Sequence, residues 1–192
     1  MRTSLLGVAL VLALTRVSSA TDYSVKTYNV SGTTPSQILA AVKANGPKGF
    51  AGSTDLAAPA YSLDFQEKGG KCVTNGTIDT YEITVTLPNW TDAGSSDQCV
   101  IDSYNKMRDA LTQHEERHVK IFRDAKDSLT AAISGVNLPG SCSDSTRSKL
   151  KAASEKALAA TQVVARKKSD DFDVKTKHGL SDSPPVILDS CP

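Results

Sequence analysis

From Val100 to Ile133 the chain contains neither Pro nor Gly, and Ser134-Gly135 followed by Pro139-Gly140 closes the run. An uninterrupted stretch of that length predicts one long helix, which fixes much of what the rest of the chain can do. Within it Met107, Leu111, His114, His118, Phe122, Ala125 and Leu129 recur at steps of three and four. That spacing defines a single stripe turned towards the core. Two of the chain's three histidines lie on it. A helix that turns two imidazoles inward either ties them to backbone groups or gives them a metal.

Residues 114–118 read His-Glu-Glu-Arg-His. On a helix, residues four apart share a face, so His114 and His118 can each aim one ring nitrogen at a common ion. Glu115 then stands beside that ion, placed to take a proton from a bound water. Zinc is the expected metal for imidazoles at this spacing. A catalytic zinc takes three protein ligands and a water. The continuation His-x-x-Gly-x-x-His is absent, because Ile121 and Asp124 occupy its Gly and third-ligand positions. Three candidates remain: Glu155 on a second helix, Asp173 in an acidic cluster with Asp170 and Asp171, and His178 just before Gly179.

The remainder of the chain is read more coarsely. Met1 to Ala20 has the layout of a secretory signal: Arg2, an apolar run from Leu5 to Leu14, then small residues up to Ala20. Residues 21–192 are then expected to form one domain. Val25 to Val30 reads as a strand. Thr34-Pro35 opens a helix with Ile38, Leu39 and Val42 on one face, stopped by Asn45-Gly46-Pro47. Residues 46–58 read as loop. Tyr61, Leu63 and Phe65 alternate with polar residues, Gly69-Gly70 turns the chain, and Tyr81, Ile83, Val85 and Leu87 alternate again up to Pro88. A strand from Ile78 to Leu87, leading into the long helix, is a candidate wall for a peptide-binding cleft. The second helix is expected over Ser145–Lys168, with Leu150, Ala157, Leu158, Thr161 and Val164 or Ala165 inward. Ser169–Pro192 reads as irregular. The fold class is α+β and zincin-like: a small antiparallel sheet, then a long helical hairpin carrying the His-Glu-x-x-His segment.

Lys and Arg number 22 against 21 Asp and Glu, which argues against a nucleic-acid partner. No apolar stretch is long enough to span a bilayer, so no membrane association is expected once the signal is removed. Cys72, Cys99, Cys142 and Cys191 show no Cys-x-x-Cys spacing. Export makes them two disulfides, and Cys72–Cys99 with Cys142–Cys191 would close each half of the chain separately. Asn29, Asn75 and Asn89 head N-x-[ST] sequons, glycosylation acceptors in a eukaryotic secretory route.

Several of these segments together resemble a known family, the secreted zinc-dependent proteases filed as domain of unknown function 922. The likeness rests on Tyr28-x-Val30-x-Gly32-x-Thr34, the run from Gly46-Pro47 to Phe50-Ala51-Gly52, and Leu87-Pro88-x-Trp90. It continues through His114-Glu115-x-x-His118 to Phe172-Asp173-x-x-Thr176-x-His178-Gly179. Phe172 stands where the family pattern has Tyr, and Arg117 where it has Gly. The resemblance implies a peptidase of the His-Glu-x-x-His type, with His178 as third ligand and Asp173 as a ligating or outer partner. On this basis His178 ranks ahead of Asp173, and Glu155 comes last.

The sequence thus predicts a secreted zinc peptidase acting on a peptide or protein substrate, with Zn2+ on His114, His118 and His178 and Glu115 as general base. Tyr104 and Tyr81 are candidate donors to the substrate oxyanion. The rival expectation is a secreted zinc-binding protein without catalysis, a metal scavenger or surface antigen on a protease-like scaffold. The oligomeric state is not legible.

Overall fold

The computed structural model describes residues 23–191; the signal expected over Met1–Ala20 lies outside the described residues. The elements are strand β1 (Ser24–Val30), helix α1 (Pro35–Asn45), strands β2 (Ser53–Leu56), β3 (Ala60–Lys68), β4 (Lys71–Thr80) and β5 (Ile83–Trp90), helix α2 (Gln98–Ile133), strand β6 (Asn137–Pro139) and helix α3 (Asp144–Thr176). The architecture is mixed α+β with two small sheets and three α-helices among the described residues.

The expected single antiparallel sheet is in fact two. In the first, the order is β1-β5-β2, with β1 parallel and β2 antiparallel to the central β5. The second is antiparallel throughout, in the order β3-β4-β6. The alternation read from Ile78 to Leu87 spans a break: β4 ends at Thr80 and β5 begins at Ile83, in the other sheet. Because β5 is covered on both sides by β1 and β2, it offers no edge to a peptide, and the expectation that it walls a cleft is corrected. Residues 46–58, read as loop, contain the edge strand β2, whose Ser-Thr-Asp-Leu carries no alternating apolar pattern.

Helix α1 starts as expected: Pro35 sits at its first turn and the Thr34 hydroxyl accepts from the Gln37 N–H. Ile38 and Val42 are buried, whereas Leu39 faces outward. Helix α2 runs 36 residues, about 54 Å at 1.5 Å per residue. Its inward stripe is Met107, Leu111, His114, His118, Phe122 and Leu129, all buried, with Ala125 partly so. Against its first two-thirds pack Val30, Ile38, Leu56, Ile83, Val85 and Leu87 from the first sheet and α1. Against its last turns, Leu129 and Ile133 meet Leu158 of α3 and Tyr61, Leu63 and Ile78 of the second sheet.

Helix α3 is capped by Ser143, whose hydroxyl accepts from the Thr146 N–H. It buries Leu150, Ser154, Leu158, Ala165 and Ser169, while Val164 is exposed, so Ala165 takes the inward position. It also continues eight residues past Lys168 to Thr176. The acidic run that read as irregular is helical here, braced by the Lys167–Asp171 pair and by Thr176 donating to the Phe172 carbonyl. The helix stops at Lys177 in the left-handed conformation, with the His178 N–H donating to the Asp173 carbonyl.

The disulfides join Cys72 to Cys142 and Cys99 to Cys191, correcting the expected pairing. Helix α2 is the reason. Cys99 lies in its first turn, whereas Cys72 pairs in register with Leu138 just beyond its last. That separates the two cysteines by roughly 50 Å of rigid helix. Each instead bonds to the cysteine at its own end. No helix among the described residues is long and apolar enough to cross a membrane.

Candidate metal centre

The site forms where α2 and α3 face each other, beneath the loop and strand that cross them from residues 47 to 56. His114 and His118 are 2% and 3% exposed. Their Nε2 atoms lie 3.2 Å apart. Asp173 Oδ1 is 3.1 Å from His114 Nε2 and 3.0 Å from His118 Nε2. Three ligand atoms held by a tetrahedral ion at 2.0–2.2 Å lie about 3.4 Å from one another. The group therefore needs to spread by only a few tenths of an ångström to hold one, and its donor chemistry suits a divalent metal.

The outer nitrogen of each imidazole is also held. His114 Nδ1 is 2.8 Å from Asp182 Oδ2, and His118 Nδ1 is 2.7 Å from the Ser169 hydroxyl. A proton on Nδ1 donated to the carboxylate leaves the inner Nε2 of His114 with its lone pair free to ligate. Asp182 is fixed in turn by Arg117, whose Nη1 donates to Oδ1 at 2.7 Å. Arg117, the departure from the family pattern, thus anchors the carboxylate that orients a candidate ligand. Asp182 comes from the chain after α3, which doubles back so that the Val186 N–H donates to the Gly179 carbonyl. Gly179 (φ +86°) is required there: a Cβ would fall 2.5 Å from the Val186 side chain. Farther on, Ser103 holds the backbone of Asp189, and Cys99–Cys191 ties the strap to the start of α2.

Glu115 is buried, and its Oε2 accepts from the Thr54 hydroxyl at 2.8 Å. Burial pushes its carboxyl above its ordinary pKa, although Thr54 and the two imidazoles pull the other way. Gly52 lets the loop lie close on Glu115: a Cβ there would sit 2.6 Å from Oε1 and displace the carboxylate. For His114, burial opposes the charged form, but its hydrogen bonds to the Asp173 and Asp182 carboxylates outweigh it and raise the pKa. Burial likewise works against ionised Asp173, yet the facing imidazoles hold its carboxyl well below the usual range. The ring of Phe172 stacks on His114 at 5.0 Å and meets His118 edge-on at 4.9 Å.

The other residues singled out in the sequence fall in different places. His178 lies at the rim, its ring stacked on Phe50 at 3.9 Å, with Nδ1 3.5 Å from Asp173 Oδ1. It does not join the close group of three. Glu155 is 18 residues before Asp173 on α3, about 27 Å along the axis, where its carboxylate accepts from Tyr61 at 2.9 Å. Tyr104 donates to the Pro88 carbonyl and Tyr81 to the Phe122 carbonyl, so neither phenol faces the site. Thr54, Ser169, Arg117 and Asp182 were missed. Only Arg117 carried a sequence signal, as the residue that breaks the pattern.

Over this group opens a cleft of about 450 Å³. Leu111, His114, Glu115 and His118 form its floor, residues 47–55 one wall, and Arg166, Ser169, Asp173 and Val174 the other. The edge strand β2 lies along it. The family model described as "Bacterial protein of unknown function (DUF922)" matches residues 25–179. The chain belongs to this family. The match to DUF922 takes in α2, Asp173 and His178, and ends before Asp182. No curated protein and no solved structure matches the chain.

Proposed function

We propose that the protein is a secreted zinc-dependent peptidase in which His114, His118 and Asp173 hold the metal and Glu115 is the general base. One observation carries the reading: the two inner imidazole nitrogens and a carboxylate oxygen lie 3.0–3.2 Å apart, with a buried glutamate next to them. The outer acceptors on both imidazoles support it, since ligating histidines are held in this way. The two disulfides suit an extracellular location.

Zinc at such a site lowers the pKa of a bound water towards about 7 and polarises a carbonyl. The chain's own residues do the rest. Glu115 takes a proton from the attacking water as its oxygen bonds to the carbonyl carbon. The same carboxyl then passes that proton to the amide nitrogen as the C–N bond breaks, leaving an acid and an amine. Burial, which raises the basicity of Glu115, suits both halves of this cycle. Thr54 holds the carboxylate in place, and the exposed edge of β2 offers main-chain hydrogen bonds to an extended peptide.

A second reading has its own observation. No tyrosine hydroxyl faces the cleft, and Phe172 brings none, which favours a zinc-binding protein without catalysis. Purified protein loaded with zinc and incubated with a peptide library separates the two. The peptidase reading expects cleavage that falls by 10²-fold or more in Glu115→Gln while bound zinc stays at one per chain. Tight zinc binding with no cleavage by the wild type supports the second reading.

A further inference from the structure

We propose that His178 is a catalytic residue, the donor that hydrogen-bonds the substrate's carbonyl oxygen as it gains negative charge. The inference rests on the peptidase reading and reassigns the residue expected to be a ligand. Four observations bear on it. First, Lys177 and His178 both adopt left-handed backbone, at φ 52° and 53°. Non-glycine residues are strained there by about 1 kcal/mol or more each. The strain turns the chain at the end of α3, so that His178 reaches over the cleft to stack on Phe50 of the opposite wall. Second, Nδ1 is 3.5 Å from Asp173 Oδ1, the atom both buried imidazoles contact, so the ring borders the ligand group without joining it.

Third, the ring keeps a free side: its side chain is 43% exposed, and among the described residues its polar contact is the 3.5 Å approach of Nδ1 to Asp173, which leaves Nε2 open to the cleft. Fourth, the other side-chain donors that line the cleft among the described residues are engaged elsewhere or stand away from the ligand atoms. Thr54 donates to Glu115, Ser53 to Asp55 and one Arg166 nitrogen to the Leu56 carbonyl, while Ser169 sits on the outer Nδ1 of His118, away from the inner Nε2. Tyr28 donates to the Ala51 carbonyl. Lys48 also lines the cleft, but the ion pairs that reach Asp173 come from His114, His118 and His178. Among the described side chains, His178 is therefore the one beside the proposed ligand group with an N–H to give. It forms no covalent bond and transfers no proton; those steps belong to Glu115. Its contribution is a hydrogen bond that strengthens as the C–O bond takes up charge.

The test uses zinc-loaded wild type, His178→Ala, His178→Gln and Lys48→Ala, with three readouts: zinc per chain, kcat and KM on a cleaved peptide, and affinity for a phosphinic peptide that mimics the tetrahedral oxyanion. In His178→Ala one zinc is retained, KM changes little and kcat falls by about 10²–10³-fold. Phosphinic-peptide affinity falls as well. His178→Gln, which keeps an N–H donor, recovers part of both. Loss of zinc in His178→Ala would overturn the proposal by making the residue a ligand, and so would a loss seen in Lys48→Ala instead. If the wild type cleaves nothing, the peptidase reading fails on its own. The phosphinic comparison still decides the donor, and equal affinity in wild type and His178→Ala rejects it.

Discussion

The helical hairpin carries two interiors of opposite kind. At the α2 C-terminus, Leu129, Ile133 and Leu158 close on Tyr61, Leu63 and Ile78 with apolar surface, and Cys72–Cys142 pins the hairpin sheet to the start of α3. Near the middle of α2, the same two helices bury His114, Glu115, His118 and Ser169 against Asp173. Apolar packing tolerates substitution gradually, at a cost set by volume. A buried polar cluster succeeds only when every member has its partner, because an orphaned charge or imidazole pays its full desolvation. The first interior holds the molecule together; the second places chemistry in it.

Each disulfide serves one of these regions, and that gives the sharpest contrast. Replacing Cys72 and Cys142 by Ser opens a link across 70 residues, for which chain entropy predicts a loss of about 4 kcal/mol in denaturant unfolding. Zinc affinity should not change. The Cys99→Ser/Cys191→Ser pair, of similar loop length, should lose comparable stability but also weaken zinc binding, because the strap it tethers carries Asp182. Equal zinc affinity in both double variants would break the comparison.

Leu129→Ala empties a fully buried position and should cost about 2–5 kcal/mol, measured by urea unfolding, with zinc stoichiometry held at one. Asp182→Ala should act the other way round. It removes the acceptor of His114 Nδ1 and should weaken zinc binding by about 10–100-fold in chelator competition, with little change in the packing at the far end of the hairpin. Asp182→Asn, which keeps an acceptor, should lie between them.

The smallest effect is in alkaline titration. Burial pushes the phenols of Tyr28 and Tyr81 up to about 12. A group whose native state keeps its proton longer than the unfolded chain contributes stability that is complete below the unfolded pKa near 10 and is lost as pH rises towards 12. Phenolate absorbance should show Tyr28 and Tyr81 ionising last, together with a fall in stability over that window. Normal titration of all phenols would remove this support for the core around the first sheet.

Much of the site was legible because a helix imposes its own period. The absence of Pro and Gly gave the extent of α2 to within two residues, and the three-and-four spacing turned His114 and His118 inward. Thr34-Pro35 gave the start of α1 for the same local reason. What was hidden depends on the third dimension. A four-residue edge strand has no periodicity to read, so β2 passed as loop and Thr54 with it. The stretch 169–176 read as irregular with the rest of the tail, yet it is helical and the imidazoles of α2 meet Asp173 across the interface. Cysteine pairing follows from the length of α2 between the partners, which spacing along the chain does not express. Asp182 stands in a turn-rich tail whose fold-back depends on Gly179 meeting Val186.

The central claim is that His114, His118 and Asp173 make one metal site. Anomalous diffraction at the zinc edge from crystals grown with zinc tests it most directly. The account predicts a single peak about 2.0–2.2 Å from His114 Nε2, His118 Nε2 and Asp173 Oδ1, with His178 outside coordination distance. A peak ligated by His178 in place of Asp173, or no peak between the two helices, would contradict it.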